Sequence, residues 1–372
     1  MKVREFGPGD VPFEEWRALP FEVYRDDDRW IAPFADDDAR VVSADNSILG
    51  HAELRFFIAA GGRARIAACL DHNLRHRGAP AGTLGYFEMT DPAAGRAVVE
   101  AGRAWLEASG AEHVLAPVNF SIWRGYRFRT AGFEHKPFYG EPYNPPEYPK
   151  LFEELGFTPA RRFKTLDVPL GDALFASTLP RDGRLMKKIE ERGYTFPDLQ
   201  LDRLESELRK VHRVILAAFQ DFVGFSPLPE EEFIELFSGL RHFVEPGMCM
   251  LPKNPEGETI GLLFAMPDLA RSIRAMRGET DWRARLRYLL RRRRSRRTIC
   301  LFAGLLPEAR YRGVSAAGAG RLLQNAAAAG YKTLTHGLVA EETLRFMSRW
   351  RMAGESDLAR NVIDYALYER EA

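Results

Sequence analysis

The sequence of 372 residues has few cysteines, no long hydrophobic run and almost no net charge. Its three cysteines, Cys69, Cys249 and Cys300, are far apart and odd in number, so they suggest neither a disulfide framework nor a metal knuckle. No stretch approaches the roughly 18 apolar residues of a membrane span, and the start, MKVREFGPGD, has no apolar signal region. We therefore expect a cytoplasmic protein without a metal site.

The composition is that of a globular protein, with 45% hydrophobic and 28% charged residues. A chain of this length can form two domains of ordinary size, each with its own core.

The charge is unevenly distributed although the net charge is only +1. Residues 271–297 hold twelve arginines against Glu279 and Asp281, a local charge of +10. Such a basic segment indicates an anionic partner: phosphate, acidic lipid or nucleic acid.

Residues 282–297 also have an apolar helical face, formed by Trp282, Leu286, Leu289 and Leu290. This pattern predicts a helix on the inner membrane surface, which would make the protein peripheral there. A solvated basic helix and nucleic-acid binding are the alternatives. Few aromatic residues lie among the arginines, which disfavours base stacking and hence nucleic acid.

Two halves of the chain show the same order of predicted elements: hairpin, strand, helix, strand. In the first half the hairpin is predicted over 54–73, the next strand over 82–91, and a helix begins at Asp91 and Pro92. In the second half the corresponding elements are 248–268, 298–306 and 316–330. The pattern predicts an internal duplication, with domains 1–168 and 180–372 joined near residues 165–180.

The stretch RYRGVS lies between a predicted strand and a predicted helix. A helix begins with unpaired N–H groups, and a loop with glycine lets the backbone close around a phosphate. Arg310 and Arg312 add positive charge, and Gly313 with the small residues after it permits close approach. The stretch indicates a pyrophosphate site. An ordinary strand-to-helix loop with exposed arginines is the alternative.

This stretch resembles the acetyl-CoA-binding motif of the GNAT acyltransferases, Arg/Gln-x-x-Gly-x-Gly/Ala, through Arg310 and Gly313, with Ser315 at the last position. The resemblance implies an α/β fold of two tandem GNAT-like domains, each a mixed, mostly antiparallel sheet flanked by helices. It implies acyl-CoA as co-substrate, bound by Leu305, Leu306, Arg310, Tyr311, Arg312, Gly313, Val314, Ser315 and Ala316. The first half has TDPAAG instead, so we expect only the second half to bind CoA.

A second resemblance covers nearly the whole chain, through landmarks such as NSILGHAELRFFIA, RIAACLDHN, EPYNPPEYPKLFEELGF and GFSPLPEEEF. These are similar to a bacterial family of two-domain acyl-CoA N-acyltransferase-like proteins. Its relatives include proteins that resemble bacterial ceramide synthases, which acylate the amine of a sphingoid base.

Amine acylation requires a base, a polarised thioester and a path for the leaving thiolate. The resemblance implies that backbone at Leu305 and Leu306 polarises the thioester. His336 and Glu341 are the candidate bases; a core histidine and a helix-start carboxylate are the alternative interpretations. Thr343 and Trp350 depart from the Asn and Tyr that many GNAT members have.

The candidate acceptor residues lie in two loops of the first half. Aromatic and polar side chains together suit a polar or anionic acceptor in a cleft. The candidates are Asn119, Trp123, Arg124, Tyr126, Tyr143 and Asn144. A packed tryptophan with exposed arginines is the alternative for the first loop, and a surface connector for the second.

The sequence thus predicts an N-acyltransferase that acts on a primary amine, with a small molecule or a lipid-like (sphingoid) amine as the acceptor. Two rivals are an aminoacyl-tRNA-dependent transferase of the same duplicated architecture and a non-enzymatic acyl-CoA or lipid-binding protein.

Overall fold

The fold is taken from a computed structural model. It describes residues 1–171, 173–242, 244–245, 247–292, 295–310, 312–344 and 360–372.

One continuous sheet runs through the described part of the chain. Its strands are β1 (Val3–Phe6), β2 (Ala52–Ala59), β3 (Ala64–Asp71), β4 (Arg75–His76), β5 (Ala79–Met89), β6 (His113–Ala116), β7 (Phe128–Ala131), β8 (Thr158–Pro169), β9 (Cys249–Met250), β10 (Gly261–Pro267), β11 (Arg297–Leu305), β12 (Thr333–Ala340) and β13 (Arg360–Glu371). The order across the sheet is β1-β2-β3-β5-β6-β13-β8-β12-β11-β10-β9, with β4 beside β5 and β7 beside β13. Most neighbouring pairs are antiparallel; β5 with β6 and β11 with β12 are parallel.

Helices cover both faces of the sheet. They are α1 (Phe13–Val23), α2 (Ala35–Val42), α3 (Pro92–Ala108), α4 (Glu147–Glu154), α5 (Ala173–Glu190), α6 (Leu204–Phe219), α7 (Glu230–Phe237), α8 (Ala270–Arg274), α9 (Trp282–Arg291) and α10 (Val314–Ala328). In the first half, α3 and α4 bury one face and α1 and α2 the other. In the second half, α10 and α5 pack on one face and α6 and α7 on the other. The predicted α/β class is confirmed.

The predicted duplication is also visible in the elements. Helix α3 connects the parallel strands β5 and β6, and α10 connects β11 and β12 in the same way. Helix α3 begins as predicted, because the Asp91 side chain accepts a hydrogen bond from the Ala93 N–H and Pro92 takes the first helical position.

The two halves exchange their last strands. Strand β8 follows α4 of the first half but pairs with β12 of the second half. Strand β13 comes from the second half but pairs with β6 and β7 of the first. The two exchanged strands also pair with each other, with Asp167 opposite Arg360. Neither half therefore has a complete sheet of its own. The boundaries 1–168 and 180–372 stay a prediction.

Two local predictions are corrected by the structure. Helix α9 ends at Arg291, earlier than the helix predicted over 282–297, because the backbone is already in strand β11 from Arg297. The connector predicted near residues 165–180 is largely regular structure, since β8 continues to Pro169 and α5 starts at Ala173.

The three cysteines are buried and free, in agreement with a packing role. Burial raises the pKa of the thiols of Cys249 and Cys300 to about 12. Within the described residues, no helix combines the length and the apolar character that crossing a bilayer requires.

Candidate active site

Strands β11 and β12 form a fork in the second half. They pair from Arg297 and Thr333 as far as Cys300 and His336, and no further. The pairing of β11 with β10 is irregular at the same place: Phe264 lies opposite Phe302 and Ala265 opposite Cys300, which leaves Leu301 as an extra residue. Such a bulge bends and twists a strand. From Leu301 onward, no strand of the described residues pairs with the second edge of β11, and the space between β11 and β12 is here called the cleft.

The backbone of Leu305 faces this cleft. The N–H of Leu306 donates to the Ile260 carbonyl at 2.9 Å, and Gly261 lies opposite Leu305. Backbone groups point alternately to the two sides of an antiparallel strand, so the N–H groups of Leu305 and Ala303 point away from β10. Of the two predicted polarising donors, Leu305 is available in the cleft and Leu306 is committed to the sheet.

Helix α10 starts at the end of this cleft without a side-chain cap. Gly313 is the N-cap, with φ of 85°, and among the described residues no side-chain cap hydrogen bond is made there. The N–H groups of Val314, Ser315 and Ala316 have no partner within the helix. A Cβ on residue 313 would lie 3.3 Å from Ile189 Cδ1. The positive φ and the close approach of Ile189 thus require glycine at this helix start.

Arginines surround this helix start. Arg310 donates through Nε to the Leu305 carbonyl at 3.3 Å and through Nη2 to the Ala218 carbonyl at 2.7 Å, which fixes the loop against the end of α6. Arg312 is exposed, and its carbonyl accepts from Arg192 Nη1 at 3.0 Å. Tyr311, between these two arginines, lies outside the described residues.

The equivalent fork in the first half is filled by the chain itself. The Val118 N–H donates to the Leu84 carbonyl at 2.7 Å, and Asn119 Oδ1 accepts from the Tyr86 N–H at 2.7 Å. A Cβ on Gly85 would lie only 2.1 Å from the Val118 oxygen. The start of α3 is occupied as well, because Asp91 places a carboxylate there. The first half therefore lacks both the separated strands and the uncapped helix start of the second half.

His336 lies at the fork and Glu341 beyond the end of β12. His336 is half-buried and is the last β12 residue that pairs with β11. By strand alternation it shares a face with Leu334, which is fully buried in the core against α10. Glu341 Oε1 lies 3.5 Å from Lys164 Nζ, and Thr343 follows in a helical turn. Trp350 lies outside the described residues.

An aromatic cluster lies beside the cleft, between the two halves. It consists of Trp123, Tyr126, Phe163, Phe219, Phe222 and Phe225, with ring centroids about 6 Å apart. Phe219 also packs against the backbone of Gly304, where a Cβ would lie 3.1 Å from its ring. Of the predicted acceptor residues, Trp123 thus packs on the ring that contacts β11, and Tyr126 lies further along the cluster, on Phe163 and Phe222.

The other predicted acceptor residues are engaged elsewhere. Asn119 braces the filled fork of the first half. Asn144 is buried and exchanges hydrogen bonds with the backbone of Arg129. Tyr143 donates to Asp27 and lies under the Arg129 guanidinium. The hydrogen bonds of these three residues therefore have a structural role away from the cleft.

Arg124 belongs to a buried polar network that the sequence-based search for site residues missed. Its Nη2 lies 3.2 Å from Glu232 Oε1, and His51 bridges Glu232 and Asp71. Asp71 also accepts from Ser226. His51 and Asp71 occur in the landmark stretches. Only the fold shows that His51 meets Glu232, which lies 181 positions later in the chain.

Solved structures share this architecture. The chain aligns with a tandem GNAT protein from the clavulanic acid biosynthesis pathway at a TM-score of 0.52 and 11% identity, covering 100% of this chain and 98% of that one. The chain has the tandem GNAT fold. A GCN5-related N-acetyltransferase from Sphaerobacter thermophilus aligns over 99% of this chain and 95% of its own, with a TM-score of 0.50 and 14% identity.

A curated relative adds a chemical indication to the tandem GNAT fold. It is named bacterial ceramide synthase, from Caulobacter vibrioides, and is 25% identical over 277 residues, which is 70% of this chain and 69% of that protein. No family model matches the chain. Together, the tandem GNAT fold and this relative support an N-acyltransferase in general.

Proposed function

We propose that the second half binds acyl-CoA and that the protein transfers its acyl group to a primary amine of lipid-like, sphingoid chemistry. The observation that carries this proposal is the fork between β11 and β12, which opens toward the uncapped start of α10 at Gly313.

The residues at this fork fit an acyl-CoA. The N–H groups of Val314, Ser315 and Ala316 would bind the pyrophosphate, with the helix dipole and the charge of Arg312 adding attraction. The N–H of Leu305 faces the cleft and would polarise the thioester carbonyl as negative charge develops on its oxygen.

The amine proton has two candidate acceptors. His336 is preferred because it lies at the fork itself, where β11 and β12 separate. Glu341 is the second candidate, but it lies beyond the end of β12, where its Oε1 is 3.5 Å from Lys164 Nζ. Replacement of His336 by Gln should therefore lower kcat at least tenfold, and Glu341→Gln much less.

The aromatic cluster supports an apolar acceptor or acyl chain. Phe219 lies beside the backbone of Gly304 and Trp123 packs on Phe219, so a long hydrocarbon would be removed from water there. The name of the ceramide synthase relative agrees with this class of acceptor.

Calorimetric titration with CoA tests the binding step. Arg312→Gln changes an exposed side chain and should weaken CoA binding about fivefold, the effect of one partly exposed charge contact. Gly313→Val should weaken it further, because a branched residue is strained at φ of 85° and its Cβ would meet Ile189, which displaces the N–H groups that follow. Arg203→Gln is the matched control, since that arginine is exposed and lies outside the fork. Unchanged CoA affinity in folded Gly313→Val would refute the proposed site.

Release of free thiol in the presence of long-chain amines tests the transfer step. The proposal expects thiol release that depends on the amine, with an amide product identified by mass spectrometry. If CoA binds at the fork and no amine produces thiol release, the protein is an acyl-CoA-binding protein and the transferase proposal is wrong.

A further inference from the structure

A basic cavity lies between the two halves, near α8 and α9. It has a volume of about 480 Å³ and is lined by six cationic side chains, one carboxylate and two apolar residues: Lys136, Arg271, Arg274, Arg277, Arg287, Arg291, Asp28, Ala275 and Leu290. It opens beside the Pro267–Thr298 end of the β10–β11 pair, whereas the cleft at Leu305 is at the other end. The cavity is therefore separate from the proposed acyl-CoA site.

The cationic charge of this cavity is only partly balanced by carboxylates of the described residues. In the described part of the chain, no ion pair joins the five arginines of the cavity to a carboxylate, and Asp28 lies 3.7 Å from Lys136. Backbone carbonyls orient two of the guanidinium groups: Arg274 donates to Arg29 and Trp30, and Arg287 donates to Ala275 and Met276. Among the described residues, the buried Nη2 of Arg274 has no hydrogen-bond partner.

Helix α9 borders the cavity and exposes large apolar side chains on its outer face. Trp282 is 68% exposed, Leu286 47%, Leu289 60% and Leu290 74%. These four positions fall on one face of the helix, with arginines on either side, and Leu290 also lines the cavity. The apolar face and the basic cavity are thus one continuous surface, here called the α9 surface.

The protein holds this surface in place. Asp281 caps α9 by accepting from the Ala284 N–H at 2.7 Å. The preceding turn is fixed to the first half: Gly278 accepts from the Ala35 N–H at 2.9 Å, and Glu279 pairs with Arg17 at 3.1 Å. The exposure of Trp282 and the leucines is therefore a property of a docked helix.

We propose that the α9 surface binds an anionic phospholipid bilayer, with lipid phosphates in the basic cavity and the apolar face of α9 among the acyl chains. Charge complementarity and the adjoining apolar stripe carry this inference. A basic helix with tryptophan and leucine on its other face lies in the plane of a membrane interface in this way. The inference does not depend on the proposed acyltransferase activity.

Two other occupants of this surface are less consistent with its chemistry. A nucleic acid would use the arginines but leave Trp282, Leu289 and Leu290 in contact with a polar backbone. A second copy of this chain would cover the leucines but bring two sets of unpaired arginines together. Only a bilayer, with anionic headgroups outside and an apolar interior, matches both the basic cavity and the apolar face of α9.

Co-sedimentation with vesicles of phosphatidylcholine, with or without phosphatidylglycerol, tests the proposal on the full chain. The wild-type protein should bind only the vesicles with phosphatidylglycerol, and less at high salt. Arg271→Gln with Arg291→Gln should lower binding about 25-fold at low salt, about fivefold for each arginine. Trp282→Ser with Leu289→Ser should abolish the binding that survives high salt.

Matched controls use exposed residues outside the α9 surface. Lys187→Gln with Arg203→Gln removes two charges whose side chains are 80% and 78% exposed, and Leu201→Ser removes a leucine that is 40% exposed. These controls should bind vesicles like the wild type. All variants should keep their affinity for CoA, which separates this proposal from the proposed function.

Three results would overturn the inference. The first is a wild-type protein that does not bind phosphatidylglycerol vesicles at low salt, whether or not it binds RNA in a gel-shift experiment. The second is vesicle binding that both double variants retain. The third is a dimer in sedimentation that dissociates on Trp282→Ser with Leu289→Ser, since the apolar face would then be a subunit contact.

Discussion

The imidazole of His51 lies between two carboxylates, with Asp71 Oδ1 at 3.3 Å and Glu232 Oε2 at 3.1 Å. Asp71 and Glu232 favour the protonated ring and raise the pKa of His51 from 6.5 to about 9. The same pairing lowers the pKa of both carboxyl groups, although burial opposes this. Since Glu232 belongs to α7 and the other two residues to the first half, this residue connects the halves by charge.

The stability of the protein should depend on pH through His51. Its pKa is higher in the folded protein than in the unfolded chain, so its contribution is complete below about pH 6.5 and is lost as the pH rises through about 9. The shift corresponds to roughly 3 kcal/mol in full, which solvent screening reduces to about 1 kcal/mol at this partly exposed site. Between pH 6.5 and 9.5, the Tm of the wild type should fall about 1 to 2 °C more than that of His51→Gln.

His72 provides the control for this measurement. It is 58% exposed and lies 3.8 Å from Glu53, so His72→Gln should leave the pH dependence of Tm close to that of the wild type. Equal pH dependence in the wild type and His51→Gln would show that the polar network does not stabilise the charged imidazole.

At the scale of elements, the starts of α3 and α10 differ although the two helices have equivalent places in the fold. Asp91 occupies the start of α3 with a carboxylate, whereas Gly313 leaves the start of α10 open. A calorimetric titration should therefore saturate at one CoA per chain. Asp91→Asn removes the charge and should still give one, because Val118 fills the first fork. A stoichiometry of two in either protein would contradict this account.

The elements themselves could be predicted well from local sequence. Asp91 with Pro92 and the glycine of RYRGVS determine helix starts through nearest-neighbour chemistry, and alternating apolar residues indicate the strands. The sequence therefore also indicated which half has the open helix start. The filled fork of the first half was not predictable in the same way, since it depends on Val118 and Asn119 reaching a strand more than thirty positions earlier.

The acceptor residues show the same limit at the candidate site. Trp123 and Asn119 occur in one loop and looked equivalent in the sequence, yet one joins the aromatic cluster and the other braces the backbone of Tyr86. Their difference comes from contacts with α6 and β5, which local patterns do not encode.

At the scale of the whole molecule, the exchanged strands determine which fragments can fold. Tyr365, Ala366, Leu367 and Tyr368 of β13 are at most 1% exposed and pack in the centre of the sheet. A fragment of residues 1–168 lacks these side chains and leaves the edges of β6 and β8 open. We expect this fragment to show no cooperative thermal unfolding by circular dichroism.

A redesigned fragment provides the matched comparison. Asp167 lies opposite Arg360 in an antiparallel pair, so a short turn can connect residue 169 directly to residue 360. The fragment 1–169 joined in this way to 360–372 should unfold cooperatively. If residues 1–168 alone melt with the same sharp transition, the exchanged strand is not needed and the first half is an independent unit.

The position of β13 also bears on how the protein is made. Ribosomes synthesise the chain in order, and β13 follows its partner β6 by roughly 240 residues, which takes about 12 to 50 s at about 5 to 20 residues per second. During that interval β6 has an open edge, and strand edges of this kind pair readily with other chains. The first half therefore cannot complete its sheet until the second half has been synthesised. The yield of folded protein in cells will depend on how well the edge of β6 is protected from other chains until then.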